Sequence, residues 1–420
     1  MPSKTLLITG CSQVATLRGP VPRRGRALSE LCIIRDGAVL VRDGRIAAIG
    51  SRRQIARLRE ARRARKLDLG GRVVLPGFVD SHTHLIFPSS RAEEYEQRIA
   101  GATYEQIAHA GGGILSTVRE LRAASPQALK QRAFAALKNF AAHGTTTIEA
   151  KSGYGLDATS EMKTLRLLRE LQQEQPLDIL PTFLAHVVPP EYRRRRNAYV
   201  DLLARRLVPA AALAGLAKFC DVFCDRGAFS VAQARRILTA GRACGLVPRL
   251  HAEQLARTGA TQLAVELKAA SADHLEKING NDIRALAASK VVATLLPGCC
   301  FHLGLERYAP ARSLIQAGAI VALATDFNPG TSPTPNMQAV LSLACAQMRM
   351  TPAEAIAAAT INAAYSLGRH DRVGSLEVGK YADLTVFDVA DYREIPYYFG
   401  VNHCWLTLKR GEIIFSRERS

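Results

Sequence analysis

Hydrophobic and polar positions follow two patterns along this chain. Near both ends the apolar residues come in short runs with turn residues between them. Ala38-Val39-Leu40-Val41, Arg42-Asp43-Gly44 and Arg45-Ile46-Ala47-Ala48-Ile49-Gly50 together predict a hairpin with Asp-Gly in its turn. Thr5-Leu6-Leu7-Ile8 predicts a strand at the start, and Ala382–Phe387 and Ile413–Phe415 predict strands at the far end. Arg52–Arg65 reads as a short exposed helix. Strands at both ends imply one small sheet domain assembled from residues 1–72 and 370–420.

Between them the pattern alternates. Strands are expected at Val73–Val79, Thr145–Ala150, Asp178–Ala185, Lys218–Phe223, Val247–Leu250, Ala270–Ala272, Val291–Leu296 and Ala319–Ala324. Helical stretches separate them, among them Pro126–His143, with Gly144 at its end, Ser160–Gln173, Val231–Ala243 and Ala311–Ala317. Eight strands alternating with helices predict an α/β protein whose centre, residues 73–369, is a (β/α)8 TIM barrel, with the composite β-sandwich domain beside it. No solenoid repeat is visible.

Barrels of this kind place their chemistry at the C-terminal ends of the strands. His82 and His84 end the first expected strand, two residues apart, a spacing that puts both on one face of extended chain. His186 follows the third, His251 the fifth, His274 the sixth and Asp326 the eighth. Five of the ten histidines therefore fall on one rim. Imidazoles with a carboxylate point to zinc, iron, copper or nickel. In isolation Asp326 reads as a helix cap, and the surrounding histidines shift it toward a metal ligand.

Composition adds limits. The 420 residues are 48% hydrophobic and 22% charged, ordinary for a globular protein, and no apolar run reaches membrane-spanning length. Residues 1–29 carry arginines and no acid, as transit peptides do, but the strand at Thr5–Ile8 favours a structural reading. The nine cysteines are scattered without a Cys-x-x-Cys spacing, consistent with reduced thiols in the cytoplasm. A net charge of +19 attracts anions. The basic runs Arg52–Lys66 and Arg193–Arg196 lack interleaved aromatics, so a solvated surface that helps to attract a small acidic substrate is expected, with no nucleic acid or membrane partner. Gly111-Gly112-Gly113 has no following Lys-Ser/Thr and is not a phosphate loop; a mobile loop over the site is expected. His109, His143, His302, His370 and His403 read as structural or surface residues.

The motifs then carry a resemblance. His82-Thr83-His84-Leu85 with Arg91, the triple glycine with Ile114-Leu115-Ser116-Thr117, and Lys151-Ser152-Gly153-Tyr154-Gly155-Leu156 are three of them. Others are Pro189-Pro190-Glu191-Tyr192, His251-Ala252-Glu253-Gln254, Ser271-Ala272-Asp273-His274-Leu275, Ala324–Pro333 and Ile395–His403. Together they resemble the amidohydrolase superfamily and, within it, the imidazolonepropionase family, over nearly the whole chain. The resemblance implies one zinc or iron ion held by His82, His84, His251 and Asp326. It implies Arg91, Tyr154, His186, Gln254, Asn328, Gly330 and Thr331 as contacts to a small anionic substrate. The implied reaction opens the ring amide of 4-imidazolone-5-propanoate to N-formimidoyl-L-glutamate by a metal-activated water, with Asp326 and His274 as the catalytic groups. Pro88-Ser89 stands where the family usually has two glycines, which would stiffen the loop carrying Arg91. A single ion is expected because no lysine stands at the fourth strand end to form a bridging carbamate.

Two other readings use the same residues. A deaminase acting on a nucleobase-like ring would need the same ligand set, and a basic nucleic-acid-binding protein could sit on a dead barrel. The family-specific loops favour the hydrolase over the first, and the complete ligand set disfavours the second. Subunit number stays open, a homodimer included.

Overall fold

The computed structural model describes residues 5–102, 106–107 and 110–417. Strands β1 (Thr5–Ala15), β2 (Ile33–Arg42), β3 (Arg45–Ser51) and β4 (Arg65–Pro76) come first. Eight strands follow: β5 (Phe78–Asp80), β6 (Thr145–Lys151), β7 (Asp178–Ala185), β8 (Phe219–Cys224), β9 (Val247–Ala252), β10 (Ser271–His274), β11 (Val292–Leu295) and β12 (Ile320–Leu323). The chain finishes with β13 (Leu384–Phe387), β14 (Cys404–Lys409) and β15 (Glu412–Ser416).

The strands of the two ends form one seven-stranded sheet in the order β15-β14-β13-β4-β1-β2-β3. The ends meet at β4 and β13, where Val73 pairs with Phe387 and Pro76 with Leu384. This sheet surrounds a core of its own that includes Leu6, Ile8, Val39, Val74, Leu384, Val386 and Leu408. The helix expected over Arg52–Arg65 is two short ones, Arg52–Ile55 and Arg59–Arg63. Their buried residues, Ile55 and Ala61, would lie about 120° apart on one continuous helix, and the break lets both pack with Leu7 and Leu40.

The strand expected over Val73–Val79 is also two. Val73–Pro76 ends β4 in the outer sheet, and the barrel begins afresh at Phe78. Gly77 makes the passage: its amide donates to Asp383 O at 3.0 Å, and a Cβ there would lie 2.3 Å from Thr146 Cγ2. Pro76-Gly77 interrupts the run, but apolar residues flank it on both sides because both sheets bury them, so periodicity cannot mark the change of sheet.

β5 to β12 are parallel neighbours in sequence order. The helices between them start where the side chains cap them: Ser125 before Pro126–Ala142, Asp157 before Ala158–Glu174, and Ser230 before Val231–Ala243. The barrel closes just beyond its strands. Asp326 N donates to His82 O at 3.1 Å, and His84 N donates to Phe327 O at 2.8 Å. The seam that shuts the barrel is thus made by the segments carrying three of the expected metal ligands. A buried lysine fastens barrel to outer sheet, Lys409 Nζ lying 2.8 Å from Asp178 at the start of β7 and 2.6 Å from Asp383.

Among the described residues, no helix is long and apolar enough to cross a membrane.

Candidate metal centre

His82, His84, His251, His274 and Asp326 meet at the C-terminal rim, all buried. Nε2 of both His82 and His84 lies 3.5 Å from Asp326 Oδ1. The rings of His82 and His251 are 4.5 Å apart, and those of His251 and His274 are 5.4 Å apart. One potential ligand atom from each of His82, His84 and Asp326 falls within 4.8 Å of the others, and so do those of His82, His251 and His274.

The nitrogens divide cleanly. His82 Nδ1 is 2.7 Å from Asp273 Oδ2 and His251 Nδ1 is 3.2 Å from the Asp221 carboxylate. Nε2 of each is buried with no hydrogen-bond partner. Buried polar atoms are rarely left so, and a carboxylate behind the far nitrogen is how a metal-binding imidazole is oriented. Three imidazoles and a carboxylate suit a divalent cation, so the residues present fit a metal. Burial holds His82 well below its ordinary pKa, helped by Lys151 and the neighbouring imidazoles, and it holds His84 down as well. Both are neutral, as ligands must be. Burial would raise Asp326, but His84, His274 and His251 outweigh it and keep the carboxyl below its usual range.

Several backbones here are bent for the purpose. Glu253, His274, Leu275 and Asp326 have φ of 51°, 82°, 72° and 54°, in a region that non-glycine residues rarely occupy. Such geometry costs on the order of 1–3 kcal/mol per residue and collects at functional sites.

The expected substrate contacts fall into groups. Tyr154 and His186 join the ligands directly: the His84 ring is 5.7 Å from Tyr154 and 5.5 Å from His186, the latter pair stacked. His186 Nδ1 is 3.2 Å from Gly153 O. Gln254 Nε2 lies 3.5 Å from Cys299 Sγ, and a sulfur of Cys299 can group with His274 and Asp326. Asn328, Gly330 and Thr331 form a self-bonded turn, with Asn328 Oδ1 accepting from the amides of Gly330 and Thr331, each at 2.8 Å. A Cβ on Gly330 would lie 2.3 Å from Arg91 Nη1, so the missing side chain is what admits the guanidinium.

Arg91 itself precedes helix Ala92–Ile99 and pairs with Glu94. Ser116 Oγ donates to Glu94 at 3.0 Å, and Gly113 opens the helix Ile114–Ala123 that carries Ser116. Through Gly113 and Ser116 this segment braces the glutamate that pairs with Arg91. Residues 103–105 and 108–109, His109 among them, lie outside the described residues. Ser89, from the Pro88-Ser89 departure, hydrogen-bonds Glu120. His143, His302, His370 and His403 keep to other partners, such as Asn139 O at 2.8 Å for His143 and the Tyr95 ring for His302.

The residues behind the ligands were not picked out from sequence. They are Asp80, Glu149, Lys151, Asp221, Arg249, Asp273, Glu276 and Cys299. Burial pushes Asp80 up to about 7 although Thr325 donates to it. One signal was available: Glu149 and Lys151 stand two apart at the end of a strand, on one face, as His82 and His84 do.

A family model described as "Amidohydrolase family" matches residues 73–413, and the chain belongs to that family. Its similarity is finer still. It is 49% identical to an imidazolonepropionase of Solibacter usitatus (strain Ellin6076), over 98% of both chains. It is 46% identical to an imidazolonepropionase of Geobacillus kaustophilus (strain HTA426), again over 98% of each. At this level the chain is a member of the imidazolonepropionase branch. Solved structures share the fold at lower identity. A zinc-bound adenosine deaminase from Xanthomonas campestris has a TM-score of 0.72 at 17% identity, covering 98% of this chain and 93% of its own. Guanine deaminase from E. coli has a TM-score of 0.73 at 16% identity, covering 98% and 99%.

Proposed function

We propose that this barrel hydrolyses the ring amide of 4-imidazolone-5-propanoate to N-formimidoyl-L-glutamate, in the cytoplasm, with one zinc or iron ion held by His82, His84, His251 and Asp326. The observation that carries the reading is the pair of orphaned Nε2 atoms of His82 and His251 at the rim, the first of them 3.5 Å from Asp326 Oδ1, in a chain 49% identical to an imidazolonepropionase. A divalent ion in such a donor set acidifies water and polarises a carbonyl.

The chain's own groups do the rest. Asp326 takes a proton from the attacking water and delivers it to the ring nitrogen as the C–N bond breaks. His274 donates to the carbonyl oxygen as negative charge collects there. Burial lowers the His274 pKa, but Glu276, then Asp326 and Asp273, outweigh it, so in the metal-free protein the net shift is upward. Arg91, Tyr154, His186, Gln254, Asn328, Gly330 and Thr331 bind and orient the substrate. Residues 73–369, apart from the Val73–Pro76 end of β4 that lies in the outer sheet, form the catalytic unit, with 1–72 and 370–420 as its support. The basic surface draws in the acidic substrate.

Mass analysis of the product tests the reaction. Hydrolysis adds one water and releases no ammonia. Stoichiometric ammonia would mean ring deamination instead, and the 16–17% identity to the deaminases above lends that reading little support.

Selectivity tests the propionate arm. A bare imidazolone offers the same carbonyl, so the carboxylate must be read elsewhere, and a planar guanidinium fits it. A charge-assisted hydrogen bond is worth about 1.5–3 kcal/mol, or roughly ten- to a hundredfold. Arg91→Ala is expected to lose about that factor in kcat/KM on the natural substrate and little on an analogue lacking the carboxylate. Equal losses on both compounds would make Arg91 a support for the loop, with the anion bound elsewhere.

A further inference from the structure

Lys151 is a fully buried cation to which the described reaction gives no task. Lys151 ends β6, and its side chain is wholly out of solvent. Nζ lies 2.8 Å from Glu149 Oε1, 2.8 Å from Asp221 Oδ2 and 3.9 Å from Asp273 Oδ2. Asp221 is the carboxylate behind His251, and Asp273 is the one behind His82. One ammonium thus reaches both carboxylates that set the two orphaned imidazoles.

The rest of the cluster confines it. Glu149 accepts from Thr182 Oγ1 and from Thr83 N, the residue between the first two histidines. Arg249 Nη2 lies 3.4 Å from Asp273 and donates to Ser81 O at 2.8 Å. Strand register brings these groups level, since Asp273 pairs with His251 across β10 and β9, and Phe223, two residues after Asp221, pairs with His251 across β8 and β9. A buried carboxylate accepting from an imidazole has lone pairs left over. The group that takes them decides where the carboxylate points.

We propose that Lys151 is a positioning residue for the metal: it holds Asp221 against His251 and stands over Asp273 behind His82, so that both rings keep the proton on Nδ1 and turn Nε2 toward the ion. The inference rests on the reading of the rim as a metal centre. It assigns Lys151 no contact with substrate. With its protons donated to two carboxylates, Lys151 is also unavailable for carbamate formation.

The test is zinc affinity of the full-length protein, by competition with a chromophoric chelator, with the urea midpoint of each metal-free protein measured beside it. K151M alone strips the ammonium from two buried carboxylates and endangers the fold. K151M/E149Q removes one charge of each sign and is the informative variant. Loss of a group that orients a metal ligand costs about ten- to a hundredfold in affinity, and that loss is expected in K151M/E149Q while the metal-free urea midpoint stays near the parent's. D221N is expected to lose a similar factor. Because Lys151 acts through Asp221, adding D221N to K151M/E149Q is expected to cost far less than the product of the two separate losses. Unchanged zinc affinity in K151M/E149Q, losses that multiply in full, or an affinity loss that merely follows a fallen urea midpoint would overturn the proposal. Failure of the unaltered protein to take up zinc would overturn the metal reading itself.

Discussion

His251→Ala is expected to strip the metal and the activity together while leaving the barrel folded. His251 contributes an orphaned Nε2 and has its other nitrogen on Asp221. Its replacement removes one of four donors and leaves the Asp221 carboxylate still paired with Lys151, so no unpaired buried charge results. Loss of an outer partner costs ten- to a hundredfold. Loss of a ligand should exceed that, and turnover should fall by more than about a hundredfold. Elemental analysis reads the metal, and circular dichroism with a urea titration reads the fold. Undiminished metal in the variant would remove His251 from the ligand set.

Deleting residues 370–420 is expected to make the chain aggregate. β13 supplies the partner of β4 through the pairs from Val73–Phe387 to Pro76–Leu384. Without it, β4 presents an open edge, which templates association. Leu384, Val386, Phe387, Leu406 and Leu408 are all buried. At about 1.5–3 kcal/mol for each such side chain, their loss is comparable with the 5–15 kcal/mol that holds a whole domain together. Asp178 in the barrel also loses Lys409 and Arg410. Light scattering and size-exclusion chromatography decide it. A soluble, cooperatively unfolding and active product from residues 1–369 would contradict the dependence of the barrel on the composite sheet.

The alternation of apolar strands with amphipathic helices was legible because each barrel strand is a short buried run bounded by a turn. Asp178–Ala185 and the helix Val231–Ala243 emerge with the expected bounds. Pro76-Gly77 interrupts Val73–Val79 in the sequence, but that this break is a change of sheet was not legible, since apolar residues stand on both sides of it and both sheets bury them. β14, Cys-Trp-Leu-Thr-Leu-Lys, was overlooked although its Leu406 and Leu408 belong to the core of the outer sheet. At the rim, His82, His84, His251, His274 and Asp326 stood out because histidines are few and strand ends are where barrels place chemistry. Asp221 did not, and Lys151 and Asp273 entered only inside family motifs, with no role of their own. A charged residue in a strand looks the same whether it faces water or another charge, and only the register of β6, β8, β9 and β10 brings these together. Asn328 was marked by its motif, and its side chain also bonds the turn it sits in, a structural role that the sequence did not announce.

Metal-dependent opening of the imidazolone ring is read by loss of imidazolonepropionate absorbance in the purified protein. Three samples suffice: metal-replete, freed of metal by a chelator, and reloaded with one equivalent of zinc or iron. Turnover is expected in the first, none in the second and recovery in the third. Undiminished turnover in protein shown by elemental analysis to be metal-free would contradict it.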